Sequence, residues 1–447
     1  MAIEFLLKVM QENKHRTAIV WHDKNYNYQW LLDTTEKMKQ GIIDSGVKQG
    51  DVVAVEADFS PTAVAALLAL IQLKCVFVPL TSAVKEKAQE FIEVGQCEWL
   101  AKISATDQIE FPIKLNNTAN HPHYQHLRKT EHPGLVLFSS GSTGKSKAAV
   151  HDLIGILEKF KVTRNRVTAV TFLLYDHIGG LNTLLYLLSN GGTIVTVPDR
   201  SPDAVLSSID KYQVALLPTS PTFINLVLIS EAYKRYDLST LKTVTYGTEP
   251  MPESTLKRFN KLFPEIRLQQ TYGLSEIGIL RSKSKNSHSL WVKLGGEGFK
   301  TRVVDNIFQI KAQSAMLGYL NAPNPFTKDG WFITGDLVEQ EGDYFKIIGR
   351  KSEIINVGGE KVHPVEIEST LQKLDNIAEV TVYPEANMIT GQMVCVKVRL
   401  KQEEDKKLFK IRLKKYCKQH LQSYKRPVRI KIDKNQQFSE RFKKVRA

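Results

Sequence analysis

At 447 residues, 42% hydrophobic and 24% charged, the chain can bury a generous core and divide into two or more domains. No stretch approaches the roughly 20 consecutive apolar residues of a membrane span, and acidic residues in the N-terminal MAIEFLLKVMQENKHR argue against a signal peptide. The net charge of +14 is uneven, because residues 350–447 hold 23 Lys/Arg against 12 Asp/Glu; this predicts a separate basic unit that meets an acidic partner.

Between about residues 50 and 275, short β-branched runs alternate with longer amphipathic segments. Strands are predicted at Val52–Val55, Val76–Pro79, Leu135–Phe138, Thr168–Phe172, Thr193–Val197, Val214–Leu217 and Thr243–Tyr246. Helical patterns lie between them, at Pro61–Gln72, Leu181–Leu188 and Pro252–Leu262. Parallel strands need crossover helices, so this order predicts an α/β fold whose large N-terminal domain carries doubly wound, mostly parallel sheets. After about residue 295 come short strands and turns at Thr301–Val304, Ile307–Ile310 and Tyr344–Ile348. A small C-terminal α+β domain follows, with a helix start at Pro364–Glu368, strands near Glu379–Tyr383 and Met393–Leu400, and a basic helix at Lys406–His420. The break falls at Gly349–Ser352, which predicts a core of residues 1–349 and a mobile lid of residues 350–447. Cys75, Cys97, Cys395 and Cys417 form no CxxC pair, which argues against structural zinc and predicts buried thiols in a reducing, cytoplasmic compartment.

One loop concentrates phosphate-binding chemistry. Residues 137–147, LFSSGSTGKSK, follow an apolar strand and are dense in Gly, Ser and Thr. Such a loop offers backbone N–H groups and hydroxyls at close range to a phosphate. It is nearly a P-loop, but position 139 is Ser139 where that motif needs glycine. Further on come Thr271-Tyr272-Gly273-Leu274-Ser275-Glu276, just past a predicted strand, and Trp331-Phe332-Ile333-Thr334-Gly335-Asp336. Arg350 follows in Ile348-Gly349-Arg350, then Glu353 to Pro364 with Val357-Gly358-Gly359-Glu360-Lys361-Val362 inside it.

In this order the four segments resemble the AMP-forming acyl- and aryl-CoA synthetases, the superfamily that includes luciferases and peptide-synthetase adenylation domains. The resemblance spans nearly the whole chain. It implies that Ser139, Ser140, Gly141, Ser142, Thr143, Gly144 and Lys147 hold the β- and γ-phosphates of ATP, with Ser146 and Ala148 departing from the family's proline and glycine. It implies that Glu276 holds Mg²⁺, with Thr271, Tyr272, Gly273 and Ser275 near the nucleotide. A hard cation that keeps its waters needs little more than one carboxylate and phosphate oxygens. Gly247-Thr248-Glu249-Pro250 is similar to the family's loop against adenine. Asp336 is the residue implied for the ribose hydroxyls, since a carboxylate accepts two bonds at once, and Arg350 also reaches the nucleotide.

Two further catalytic positions come from the same resemblance. His177, in Tyr175-Asp176-His177-Ile178-Gly179-Gly180, is similar to the histidine that gates the acyl pocket of CoA-forming members. Lys443 and Arg446 keep the Lys-x-x-Arg spacing of the family's C-terminal motif, although Gln437 replaces its proline and Phe442 its glycine, so that a flexible turn is lost. Lys444 offers a second candidate for the catalytic lysine. The implied reaction activates a carboxylic acid with ATP and Mg²⁺ as an acyl-adenylate, then transfers it to CoA, with loading of an acidic acyl carrier protein as the alternative. In the second step the small domain would turn about Ser352 and present the Gly358-Gly359 segment to the thiol. Pocket candidates Tyr175, His177, Leu181, Tyr246, Tyr272 and Leu274 suit a medium-chain fatty acid or an aryl acid equally. A P-loop NTPase and a degenerate, non-catalytic nucleotide-binding protein are the rival classes; neither nucleic acid nor a membrane span is implied.

Overall fold

The computed structural model describes residues 2–140 and 146–446. Two seven-stranded sheets form the core of the large domain. The first runs in the order Arg267–Gln270, Thr243–Tyr246, Leu216–Thr219, Thr168–Val170, Thr193–Val195, Thr17–Trp21, Lys24–Asn27. All its neighbours are parallel except the final hairpin. The second runs Gly318–Tyr319, Ser146–Asp152, Gly134–Ser140, Val76–Leu80, Val52–Glu56, Trp99–Ile103, Ile109–Lys114. It is parallel in the middle and antiparallel at both flanks. Val76–Leu80 is buried at every position and Val52–Glu56 at all but the last, which is why both read as continuous apolar runs instead of alternating ones.

The helix Pro61–Gln72 shows how the sheets are joined. Ser60 caps it by accepting the Ala63 N–H at 3.2 Å, and Pro61 sits in its first turn, where no donor is missed. Eleven of its twelve residues are buried. It shares one apolar cluster with the helix Ile178–Ser189 and with strands of both sheets, so it is wrapped on all sides instead of lying on a surface. Leu68, fully buried there, is therefore expected to cost roughly 2–5 kcal/mol when replaced by Ala, measured as a lowered urea midpoint of the large domain's transition.

Several sequence expectations shift: the strands placed at Thr168–Phe172 and Thr193–Val197 end at Val170 and Val195, and the helix placed at Leu181–Leu188 spans Ile178–Ser189. The strand placed at Val214–Leu217 begins two residues later, at Leu216, because the Val214 N–H bonds back to Ile209 O at 3.0 Å and closes the preceding helix. The change of texture placed after residue 295 begins at Arg281–Ser284, which pairs antiparallel with Val292–Gly295. Its sequence RSKS has no apolar alternation to announce a strand. These two strands open a six-stranded antiparallel sheet that ends, in chain order, with Tyr344–Arg350.

Residues 355–432 build a five-stranded sheet covered by the helices Pro364–Leu371 and Lys406–His420, with an apolar cluster of their own. Gly358 (φ +58°) and Gly359 (φ +92°) are not strand residues but the two-residue turn between Ile355–Val357 and Glu360–Val362. Left-handed angles at both positions favour glycine there. The helix Lys406–His420 buries Phe409, Leu413 and Cys417 and turns Lys407, Lys410, Lys414 and Lys418 outward. All four cysteines are buried free thiols, and among the described residues no helix is long and apolar enough to cross a membrane.

Candidate active site

The parallel strands of the first sheet end at Thr219, Tyr246 and Gln270, and the segments that follow them face the tail of the small domain. This is the end of an open α/β sheet where ligands bind. Gly247 is required by close approach: a Cβ there would stand 2.7 Å from Thr271 Oγ1 and 2.9 Å from Thr271 O. Thr271 in turn donates its N–H and its hydroxyl to Tyr246 O, at 2.7 and 3.1 Å. Thr248 takes a left-handed φ of +72°. Glu249 is already engaged: it accepts from Thr222 N at 2.8 Å, from the Thr222 hydroxyl, and from Lys444 N at 3.3 Å.

The loop expected to bind phosphate and Glu276, the glutamate expected to hold Mg²⁺, converge through a residue that sequence reasoning missed. Ser139 pairs with Lys147 across the strands Gly134–Ser140 and Ser146–Asp152. Gly141, Ser142, Thr143 and Gly144 lie outside the described residues, as does the side chain of Ser140. Lys147 Nζ stands 5.4 Å from the Tyr319 ring centre, and the Tyr319 hydroxyl donates to Glu276 Oε1 at 2.7 Å. Glu276 Oε2 has no partner among the described residues, so one carboxylate oxygen is left for a cation, which suits Mg²⁺ held mainly by phosphates and water. Asn321 bonds to Ala148 N (3.0 Å) and Ser146 O (2.9 Å), clamping the two departures from the family motif into the sheet. Beneath Glu276, the buried His151 donates Nε2–H to Ser275 O at 2.5 Å; burial pulls its ring down to about 4, so it is neutral.

Asp336 is buried, pairs in register with Arg350, and lies 3.4 Å from Arg350 Nε. Its Oδ2 accepts the Tyr272 hydroxyl at 2.5 Å. Burial raises its carboxyl and Arg350 opposes that rise. Gly273, in the short strand that follows Tyr272 and pairs with Ile279, has no room for a Cβ, which would meet Ile279 Cδ1 at 2.4 Å and Gly278 O at 2.6 Å.

His177 caps the helix Ile178–Ser189, its Nδ1 accepting the Gly179 N–H at 3.1 Å. Burial first, then the nearby charges of Lys443 and Arg441, push its ring well below the usual range. The imidazole is therefore neutral with its proton on Nε2. Lys443 arrives from the far end of the chain. Its ammonium makes no hydrogen bond or ion pair among the described residues. Burial, Arg441 and Arg350 pull it down to about 8, while Glu249 and Glu276 hold it up. Lys444 points the other way, to Glu368 (2.9 Å) and Val380 O (3.1 Å) inside the small domain. The turn expected to be lost at Phe442 is kept, because Phe442 itself adopts φ +51°. Tyr319, Thr222 and Asn321 had no motif to announce them.

The chain matches the AMP-binding enzyme family over residues 6–296 and the AMP-binding enzyme C-terminal domain over 366–436. It is 26% identical over 431 residues to an indoleacetate–CoA ligase of Aromatoleum aromaticum, covering 85% of this chain and 84% of that one. A feruloyl-CoA synthase of Amycolatopsis is 26% identical over 400 residues, 80% of each chain. Among solved structures, an anthranilate CoA ligase in complex with anthranoyl-AMP superposes with a TM-score of 0.80 at 17% identity, over 97% of this chain and 93% of that one. The O-succinylbenzoate coenzyme A synthetase from Bacillus subtilis, in complex with ATP and magnesium, gives 0.76 at 19%, over 99% and 98%.

Proposed function

Because the chain belongs to the AMP-binding enzymes, the adenylate-forming acyl- and aryl-CoA synthetases, we propose how its own residues divide a two-step reaction among them. A carboxylate attacks the α-phosphorus of ATP, giving an acyl-adenylate and pyrophosphate. The thiol of CoA then attacks the mixed anhydride, giving the thioester and AMP. Neither step needs a protein nucleophile; alignment and charge neutralisation are what the enzyme supplies.

Lys443, unpaired and facing Glu276 and Arg350 in charge, neutralises the anions that crowd at the α-phosphate. Asp336 holds the ribose diol, with Tyr272 fixing one of its oxygens. Lys147 with the serine and glycine loop holds the terminal phosphates. Glu276 is the residue that would hold Mg²⁺, which supplies further charge neutralisation on the phosphates. Neutral His177 bounds the acid's carboxylate from the side of the helix Ile178–Ser189. The core ends at residue 349, and the small domain turns about Ser352 between the two steps.

The observation that supports this assignment above all is that the buried Lys443 lies within the electrostatic reach of Glu276, Arg350 and His177, three groups from three separate motifs. The test is acid-dependent exchange of labelled pyrophosphate into ATP over a panel of carboxylic acids, followed by CoA consumption. Ring-bearing acids come first, since the relatives named above are ligases of indoleacetate, ferulate and anthranilate. AMP with pyrophosphate is the expected product pair; ADP, or exchange that no acid stimulates, overturns the proposal. The lysines on the outer face of Lys406–His420 suit the phosphates of CoA. Raising ionic strength from 0.05 to 0.3 M is expected to raise the KM for CoA roughly threefold or more, with the KM for the acid unchanged.

A further inference from the structure

The segment that delivers Lys443 is held to the large domain by contacts on both sides of that residue. Arg441 Nη2 lies 2.9 Å from Asp176 Oδ2, which also accepts the Thr81 hydroxyl at 2.9 Å. Asp176 is 4% exposed, next to His177, and its Oδ1 has no partner. Arg200 and Asp58 are the other charges facing it. A carboxylate this deeply buried needs a cation, and Arg441 is the only one in hydrogen-bond contact with it among the described residues. Phe442 follows. Its ring packs on Phe172 (5.0 Å between centres) and Phe223 (5.6 Å) of the core and on Phe438 (5.2 Å) of the tail. The Arg200 guanidinium lies 5.4 Å over the same ring, and Ser220 Oγ donates to Phe442 O at 2.9 Å. A left-handed φ, +51° here, is unfavourable for a bulky residue, so the ring's burial has to offset it.

We propose that Asp176 is a positioning residue for adenylation, which seats Lys443 through Arg441, and that this ion pair and the Phe442 ring form a latch that must release before the thiol step. The inference rests on the assignment of Lys443 as the adenylating lysine. Its physical content is that the two half-reactions respond oppositely to one set of contacts. Adenylation gains from the seated tail. Transfer to CoA requires Arg441 to leave a buried carboxylate and Phe442 to leave an aromatic pocket, so the latch slows that step.

The test compares Arg441→Ala, Asp176→Asn, the double variant and Phe442→Gly in both half-reactions. Arg441→Ala and Asp176→Asn are expected to slow pyrophosphate exchange roughly 10- to 100-fold, the effect of a small misplacement of a catalytic group. Thioester formation from purified acyl-adenylate is expected to be faster, and fastest in Phe442→Gly; an unchanged rate in all the variants overturns the latch. The double variant is expected to be no worse than the worse single one, since each removes the same contact. Parallel loss of both half-reactions, or a double variant whose loss is the product of the singles, overturns the proposal. Spin labels at Lys37→Cys and Lys414→Cys, both exposed positions with the four native thiols buried, read closure without any turnover. The closed population is expected to fall in Arg441→Ala, and an unchanged distance distribution overturns the latch even if no acid proves to be a substrate.

Discussion

Lys443→Ala is expected to slow acid-dependent pyrophosphate exchange by roughly 10²- to 10³-fold, while thioester formation from preformed acyl-adenylate stays within about threefold of wild type. The asymmetry follows from where the ammonium stands. It is unpaired among the described residues and lies in the field of Glu276, Glu249, Arg350 and Arg441, and the work proposed for it is on the triphosphate anions that only adenylation brings to the site. Lys444→Ala is the matched control. Its ammonium is committed to Glu368 and Val380 O, and the expected result is a weakened small domain without the sharp split between half-reactions.

The same lysine sets a pH dependence. The charged form is the useful one; it is present below about pH 8 and is lost as pH rises through that value. For the free enzyme, kcat/KM for ATP in the exchange reaction should therefore fall above pH 8. A bound triphosphate stabilises the ammonium, so the descending limb of kcat should lie at higher pH than that of kcat/KM. Lys443→Arg, charged throughout the range, is expected to lose rate but also to lose the limb. A limb that persists in Lys443→Arg would assign it to another group.

What the sequence made legible, and what it hid, divides along a physical line. Glu276, Asp336, Arg350 and Lys443 are chemical residues inside short motifs, so their types and spacing announce them. The contacts that orient them either join one motif to another or come from outside the motifs. Tyr319 is 43 residues from the glutamate it holds, and Arg441 is 265 residues from Asp176; no local period links such pairs. Phe442 is the instructive case. Read as a sequence, a phenylalanine in place of glycine removes a turn. In the fold the turn survives at φ +51° because three neighbouring phenylalanines give the ring a place to be buried. The strands Val52–Glu56 and Val76–Leu80 were legible because near-complete burial leaves unbroken apolar runs, whereas the parallel strand Arg267–Gln270, RLQQ, was not. The half-exposed Arg281–Ser284 carries no such pattern, and only its pairing with Val292–Gly295 defines it.

Glu276→Gln is expected to lower exchange by roughly 10²- to 10³-fold and to move the Mg²⁺ concentration for half-maximal rate upward at least tenfold. The substitution keeps the shape and an acceptor for the Tyr319 hydroxyl, now 2.7 Å from Oε1, and removes only the charge. Nucleotide affinity measured without metal should change little, since Lys147, Asp336 and Arg350 are untouched. Asp336→Asn is expected to do the reverse, raising the KM for ATP with the Mg²⁺ midpoint in place. Each carboxylate has its own tyrosine, Tyr319 for Glu276 and Tyr272 for Asp336, so the two can be altered one at a time. If both variants shift the Mg²⁺ midpoint alike, the carboxylates share the cation, and the division of labour between metal and ribose proposed for them is wrong.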